Sequence, residues 1–225
     1  MVFAGPILRR ALDNRVCLWL IARPGLSFSV RFSNDDYGSP LADRMLDDSE
    51  VTCLPVGKQA SIYLLDVHLD HPLPEARRVW YDLWIRHNDD DWQGIANWAP
   101  HLIYPGENLP RFVPCRNLHR VLHGSCRRPH HPSSDGLLRV DRELAEAGPT
   151  EDYPAMLMLT GDQIYADDVA GPMLHAIQCV IRRLGLFQED LESADIANSN
   201  ELFDHPKGFY HRDQLLPESE FNEAV

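Results

Sequence analysis

Asp162, Tyr165 and Cys126 are the residues of this chain whose types and spacing can do chemistry. Residues 156–168 read MLMLTGDQIYADD, an apolar run that ends abruptly in Gly161-Asp162 and continues to Tyr165, Asp167 and Asp168. Upstream, LHRVLHGSC (118–126) is a second apolar run, ending in Ser125-Cys126. Asp162 offers carboxylate oxygens, Tyr165 a phenolate and Cys126 a thiolate. Hard oxygen donors joined by a thiolate suit a trivalent or transition metal better than magnesium alone. A cation lowers the pKa of its tyrosine and cysteine ligands, so both can bind deprotonated. Gly161 lets backbone approach such an ion closely. Arg127 is the candidate contact to an anionic substrate. No residue is assigned a catalytic role.

Each feature also has a plain structural reading. Gly-Asp after a strand is a common turn. A cysteine that ends a strand is often an apolar filler. Tyr165 can be packing, Asp167 and Asp168 can cap a helix that begins near Val169, and Arg127-Arg128 can be a solvated pair. Spacing alone leaves both readings open.

The elements that position these residues read as one α/β unit. LHRVLHGSC (118–126) and YPAMLMLT (153–160) are expected to be buried strands. Between them Ser134 or Asp135 can cap a helix in which Leu137, Val140 and Leu144 recur at helical spacing, stopped by Gly148. Pro172 suits the first turn of a second helix, whose stripe of Met173, Ile177, Val180, Ile181 and Leu184 ends at Gly185. The order strand–helix–strand–helix implies a parallel crossover, which brings both carboxyl ends to one edge. Ligands in open α/β sheets bind outside that edge. Cys126 and Asp162 are therefore expected to lie close together.

The first half reads as β. RVCLWLIA (15–22), SFSVRF (27–32), ASIYLLDVHL (60–69), RRVWYDLWIR (77–86), HLIYP (101–105) and RFVP (111–114) are expected strands. Val79, Tyr81 and Leu83 should face one way, and Trp80, Asp82 and Trp84 the other. Turns separate the strands at SNDDYGSP (33–40) and NDDDWQG (88–94), and PLADRMLDDSE (40–50) reads as a loop or short helix. The pattern predicts an antiparallel β-sandwich of immunoglobulin or fibronectin type. Past Gly185 the chain is polar and aperiodic, without a third buried strand.

Composition sets the outer limits. The chain has 225 residues, 44% hydrophobic, with a net charge of −13. That balance argues against nucleic-acid binding, which needs a basic face. Five widely spaced cysteines form neither a disulfide framework nor a CxxC zinc pattern, which suits a reducing compartment. No apolar run approaches the length of a bilayer core. Arg9-Arg10 precedes VCLWLIA (16–22), but that run stops at Arg23-Pro24 and reads as a strand rather than an export signal. A cytoplasmic location is expected.

GPILRR near the start, LHGSCRRPH (122–130) and especially MLTGDQIYADDVAGPMLHAI (158–177) resemble the PhoD-like metallophosphatases, relatives of alkaline phosphatase D. The resemblance is to a bacterial branch in which a small β-sandwich precedes the phosphatase domain. It implies a β-sandwich at 1–115 and, at 116–225, the first part of a four-layered metallophosphoesterase α/β/β/α sandwich. It implies hydrolysis of phosphate mono- or diesters by a cluster of Fe3+ and Ca2+, with other divalent metals as alternatives. On the matching positions, Cys126 and Tyr165 would bind the ferric ion as anions, and Asp162 would bridge the metals. The family draws further Asn, Asp and His ligands from later strands. No such motif occurs before Val225, and Asn198, Asn200, His205 and His211 follow no buried strand, so the chain is expected to hold half of a metal site.

Two other functions compete. The sandwich can be a non-catalytic binding module that uses Trp80, Trp84, Trp92 and Trp98, or the chain can be an inactive truncated product. Asp66 and His68 in LLDVHLDHP form an Asp-x-His pair, but with Asp70 they share one face of a strand, read as the solvated one. His123, His130 and His131 lie nearer the expected site, with a surface reading beside the functional one.

Overall fold

Alternating apolar residues in four segments of the first half build the core. In the computed structural model, residues 1–34, 40–128, 132–149, 153–165, 169–191, 194–211 and 214–215 are described. His130, His131, Asp167, Asp168 and positions 35–39 of the expected turn lie outside them. The chain forms two units, Met1–Leu54 with Ser61–Gln163, and Pro55–Ala60 with Ile164–Val225. The first unit runs across positions 115 and 116.

The first unit begins with strands β1 (Val2–Leu12), β2 (Arg15–Ala22), β3 (Leu26–Ser33), β4 (Pro40–Met45), β5 (Val51–Pro55, its last residue in the second unit), β6 (Ser61–His68) and β7 (Val79–His87). The short helix α1 (Ile95–Trp98) and the two-residue strand β8 (Arg111–Phe112) follow. They form two four-stranded sheets, ordered β1-β2-β6-β5 and β4-β3-β7-β8. Val16, Leu18 and Leu20 of β2 and Tyr63, Leu65 and Val67 of β6 join Phe28, Val30 and Phe32 of β3 and Val79, Tyr81, Leu83 and Ile85 of β7 in one buried cluster. Phe28 and Tyr63, from different sheets, meet edge to face at 5.1 Å. Burying a side chain of this size contributes roughly 1.5–3 kcal/mol, so the cluster dominates the stability of this region. The arrangement is mostly antiparallel β with few helices, compatible with the expected β-sandwich.

β9 (Val121–Gly124), α2 (Gly136–Glu146) and β10 (Met156–Leu159) complete the first unit as a strand–helix–strand crossover with parallel strands. Asp135 caps α2 by accepting from the Leu137 N–H at 2.9 Å. In the second unit, α3 (Gly171–Leu184) has Pro172 in its first turn and ends at Gly185, whose φ of 58° closes the helix with a left-handed residue.

Several expectations need correction. HLIYP is not a strand, because Pro100 opens a 3-10 turn over Pro100–Leu102. Residues 40–50 begin with β4, an edge strand whose Asp43 and Arg44 hide its alternation. β1 carries Pro6, which an edge strand tolerates, and its bulges interrupt the period-2 pattern. β9 and β10 are much less buried than their composition suggests. Val121, Met156, Leu157, Met158 and Leu159 are all exposed, since the two strands pair only with each other and α2 buries none of its residues. The stripe on α3 is likewise open at Met173, Ile177 and Val180.

One ion pair ties the two four-stranded sheets together. Glu50, only 4% exposed, accepts two hydrogen bonds from Arg44 of β4 at 2.6 and 2.7 Å and one from the His68 N–H of β6 at 3.0 Å. Arg44 holds the Glu50 carboxyl below the usual glutamate range, against the opposing effect of burial. A carboxyl whose folded pKa is depressed stabilises above its unfolded pKa, and the stability is lost as pH falls through the folded value. Glu50→Gln should therefore cost about 1–3 kcal/mol at pH 7, since Arg44 is partly solvated. Denaturant unfolding across pH should show the gap between the two proteins closing below about pH 4.

Candidate functional site

Parallel pairing of β9 with β10 sets the site. Val121 lies opposite Met156 and Gly124 opposite Leu159, so both strands end at the same edge. The Thr160 N–H extends the ladder to the Gly124 carbonyl at 3.1 Å, and His123 Nε2 meets Thr160 Oγ1 at 2.8 Å. Ser125–Arg127 then forms one loop and Gly161–Gln163 the other.

The loops remain joined beyond the strands. The Arg127 N–H donates to the Asp162 carbonyl at 2.8 Å. Gln163 Nε2 donates to the carbonyls of both Ser125 and Gly161, each at 2.9 Å. Gly161 allows the approach: a Cβ there would fall 2.5 Å from Cys126 Sγ, 2.6 Å from Ser125 Oγ and 2.9 Å from the Cys126 nitrogen. The Ser125 hydroxyl donates to Cys126 Sγ at 3.6 Å. Cys126 and Asp162 are both exposed, on facing loops.

The Arg127 guanidinium turns to the helix cap instead. Its Nη2 and Nε donate to the Asp135 carboxylate at 2.5 and 3.2 Å. Arg127, then the Leu137 N–H, hold the Asp135 carboxyl below the ordinary aspartate range. One arginine thus links the start of α2 to the first loop through its side chain and to the second loop through its backbone.

Tyr165 is half-buried and belongs to the second unit. Asp162 carries a carboxylate and Cys126 a thiol on these two loops. They fall short of a closed coordination shell: the described residues hold no group of three or more His, Cys, Asp or Glu side chains able to bind a metal. All five cysteines are outside disulfides.

No protein-family model matches the chain, and no curated protein matches it. Among the described residues, no helix is long and apolar enough to cross a membrane.

Several other candidates make contacts within the first unit. Asp66 is ion-paired with Arg15 across β2 and β6, and His68 is exposed. Trp80 donates to Glu107 at 3.2 Å, Trp98 donates to the Leu83 carbonyl at 3.1 Å, and Arg86 stacks over Trp92 at 4.7 Å. Trp84 is exposed on the outer side of β7. Trp98 packs against the core between the sheets, whereas Trp80 and Trp84 lie on the outer face of β7.

Sequence reasoning passed over Gln163 and the second role of Asp135. Gln163 sits inside the GDQIY segment, but its function depends on carbonyls 38 and 2 residues away. Asp135 is legible as a cap, whereas its pairing with Arg127 follows from the path of the loop.

Gly161→Ala should force the loops apart, because backbone at 2.9 Å cannot yield as a side chain can. A destabilisation of about 1–3 kcal/mol is expected. It is measurable by denaturant unfolding, with faster amide exchange at Arg127 marking the loop as the part that moves.

Proposed function

We propose that the chain carries part of the metal site of a PhoD-type metallophosphoesterase acting on phosphate mono- or diesters, and that strand–helix–strand–helix is the first unit of a metallophosphoesterase α/β/β/α sandwich. The observation that supports this most is the meeting of the GSC and GDQ loops at the carboxyl edge of a parallel β pair. A common turn needs no cysteine-bearing loop held against it by hydrogen bonds and by a glycine with no room for a side chain.

Cys126 and Asp162 would hold the metal; Tyr165 matches the family's tyrosine ligand by resemblance alone. When bound, iron and calcium would supply Lewis-acid charge that neutralises phosphoryl oxygens and activates an oxygen nucleophile. The chain's own part is to hold the donors and orient the ester. Arg127 is poised beside the loop as a phosphoryl contact, but its ion pair with Asp135 competes with that role. A phosphoryl group would have to displace a carboxylate already bound through two nitrogens, which lowers the net gain from that contact.

The test is iron binding with optical detection. Protein reconstituted with ferric iron should absorb in the visible through charge transfer from thiolate or phenolate. Changing the surroundings of a metal ligand typically weakens binding 10–100-fold, so Asp162→Asn should lose at least about a hundredfold in affinity. Cys126→Ser should shift or remove the absorption band. Unchanged iron content in Asp162→Asn would sink the reading.

A further inference from the structure

We infer that Gln163 is a positioning residue: its carboxamide locks the Cys126 loop onto the Asp162 loop and so sets the spacing of the two metal donors. The inference deepens the metal-site reading and rests on it for the identity of what is positioned. Its geometric part stands independently.

Three observations carry it. First, Gln163 Nε2 donates to carbonyls on both loops, Ser125 on one and Gly161 on the other, at 2.9 Å each. Two converging carbonyls require a donor between them, which fixes the orientation of the amide: an oxygen in that place would face two acceptors. Second, Gln163 Oε1 is buried without a hydrogen-bond partner among the described residues. Burying an unsatisfied amide oxygen opposes folding. The side chain is thus held there by its two donated bonds despite that opposition. Third, nothing bulkier than glycine fits beside the clamp, since a Cβ on Gly161 would strike Cys126 Sγ and the Cys126 nitrogen. The loops are therefore drawn to a separation at which the thiol lies against the backbone that precedes Asp162. With β9 and β10 exposed and paired only with each other among the described strands, bonds across the loops add directly to what holds the donors together.

The test compares Gln163→Met with Gln163→Glu at pH 7.5, using the full chain. Methionine matches glutamine in length but donates nothing. Glutamate matches it in shape and directs a carboxylate at two carbonyl oxygens. A space-filling role would favour Gln163→Glu, whereas a clamp makes it the worse variant. The first readout is exchange of the Arg127 amide, which bridges to the Asp162 carbonyl. Its exchange should rise about fivefold to tenfold in Gln163→Met, as expected for one or two lost hydrogen bonds, and further in Gln163→Glu. Amides of β2 and β6 should not change. The second readout is the thiolate charge-transfer band on titration with cobalt(II), which should weaken in the same order.

Unchanged Arg127 exchange in both variants, or slower exchange in Gln163→Glu than in Gln163→Met, overturns the clamp. A cobalt band of wild-type affinity in both variants overturns the positioning of the donors. If the unaltered chain gives no thiolate band at all, the metal reading falls, and Arg127 exchange by itself decides the role of Gln163.

Discussion

The parallel pairing of β9 with β10 is the constraint on which the candidate site depends. Antiparallel strands joined by a tight turn would send the ends of these two runs to opposite edges. A crossover through α2 makes them parallel, so each chain emerges at the same edge and must turn there. Everything chemical about the site follows from what those two turns contain. One supplies a thiol and an arginine, the other a carboxylate and an amide, and four short strand residues on each side bring them together.

That pair has little support of its own. Its apolar residues are open, and a parallel pair is less stable per residue than an antiparallel one. The site is anchored through the polar attachments of α2. Tyr104 donates to Asp141, Arg111 reaches the Ala145 carbonyl, and Arg120 pairs with Glu143. These bonds run from α2 to β8, to the segment between β7 and β8, and to the residue just before β9. The first unit therefore combines a densely packed apolar core with a site held mainly by hydrogen bonds and charge. Such bonds are directional and can set a geometry that apolar contact alone would leave loose.

Polar groups across the first unit show the same division. Among the elements of the two four-stranded sheets, charged residues form pairs such as Arg15 with Asp66 and Arg44 with Glu50, which staple neighbouring elements. At the β9–β10 edge each loop exposes a side chain with metal-donor chemistry, Cys126 on one side and Asp162 on the other. Arg127 does both jobs, stapling with its backbone and its side chain beside those groups.

The sequence by itself determined what depends on neighbours along the chain. Period-2 alternation marks β2, β3, β6 and β7 and assigns Tyr81 and Trp80 to opposite faces, because successive side chains on a strand point in opposite directions. Asp135, Pro172 and Gly185 mark the ends of α2 and α3 because helix termini have local hydrogen-bonding and dihedral needs. The order of those elements brings the loops of Cys126 and Asp162 to one edge. Only the tertiary structure decided the rest. Strands β1, β4 and β5 lack a clean period because bulges interrupt β1 and both faces of β4 and β5 are largely exposed. The apolar runs of β9 and β10 look buried in composition, yet burial depends on which elements cover them. Gln163 became a clamp, and Arg127 a partner of Asp135, only when distant carbonyls and carboxylates arrived within about 3 Å, the reach of a hydrogen bond. A residue's type fixes what it can donate or accept, and the fold fixes to whom.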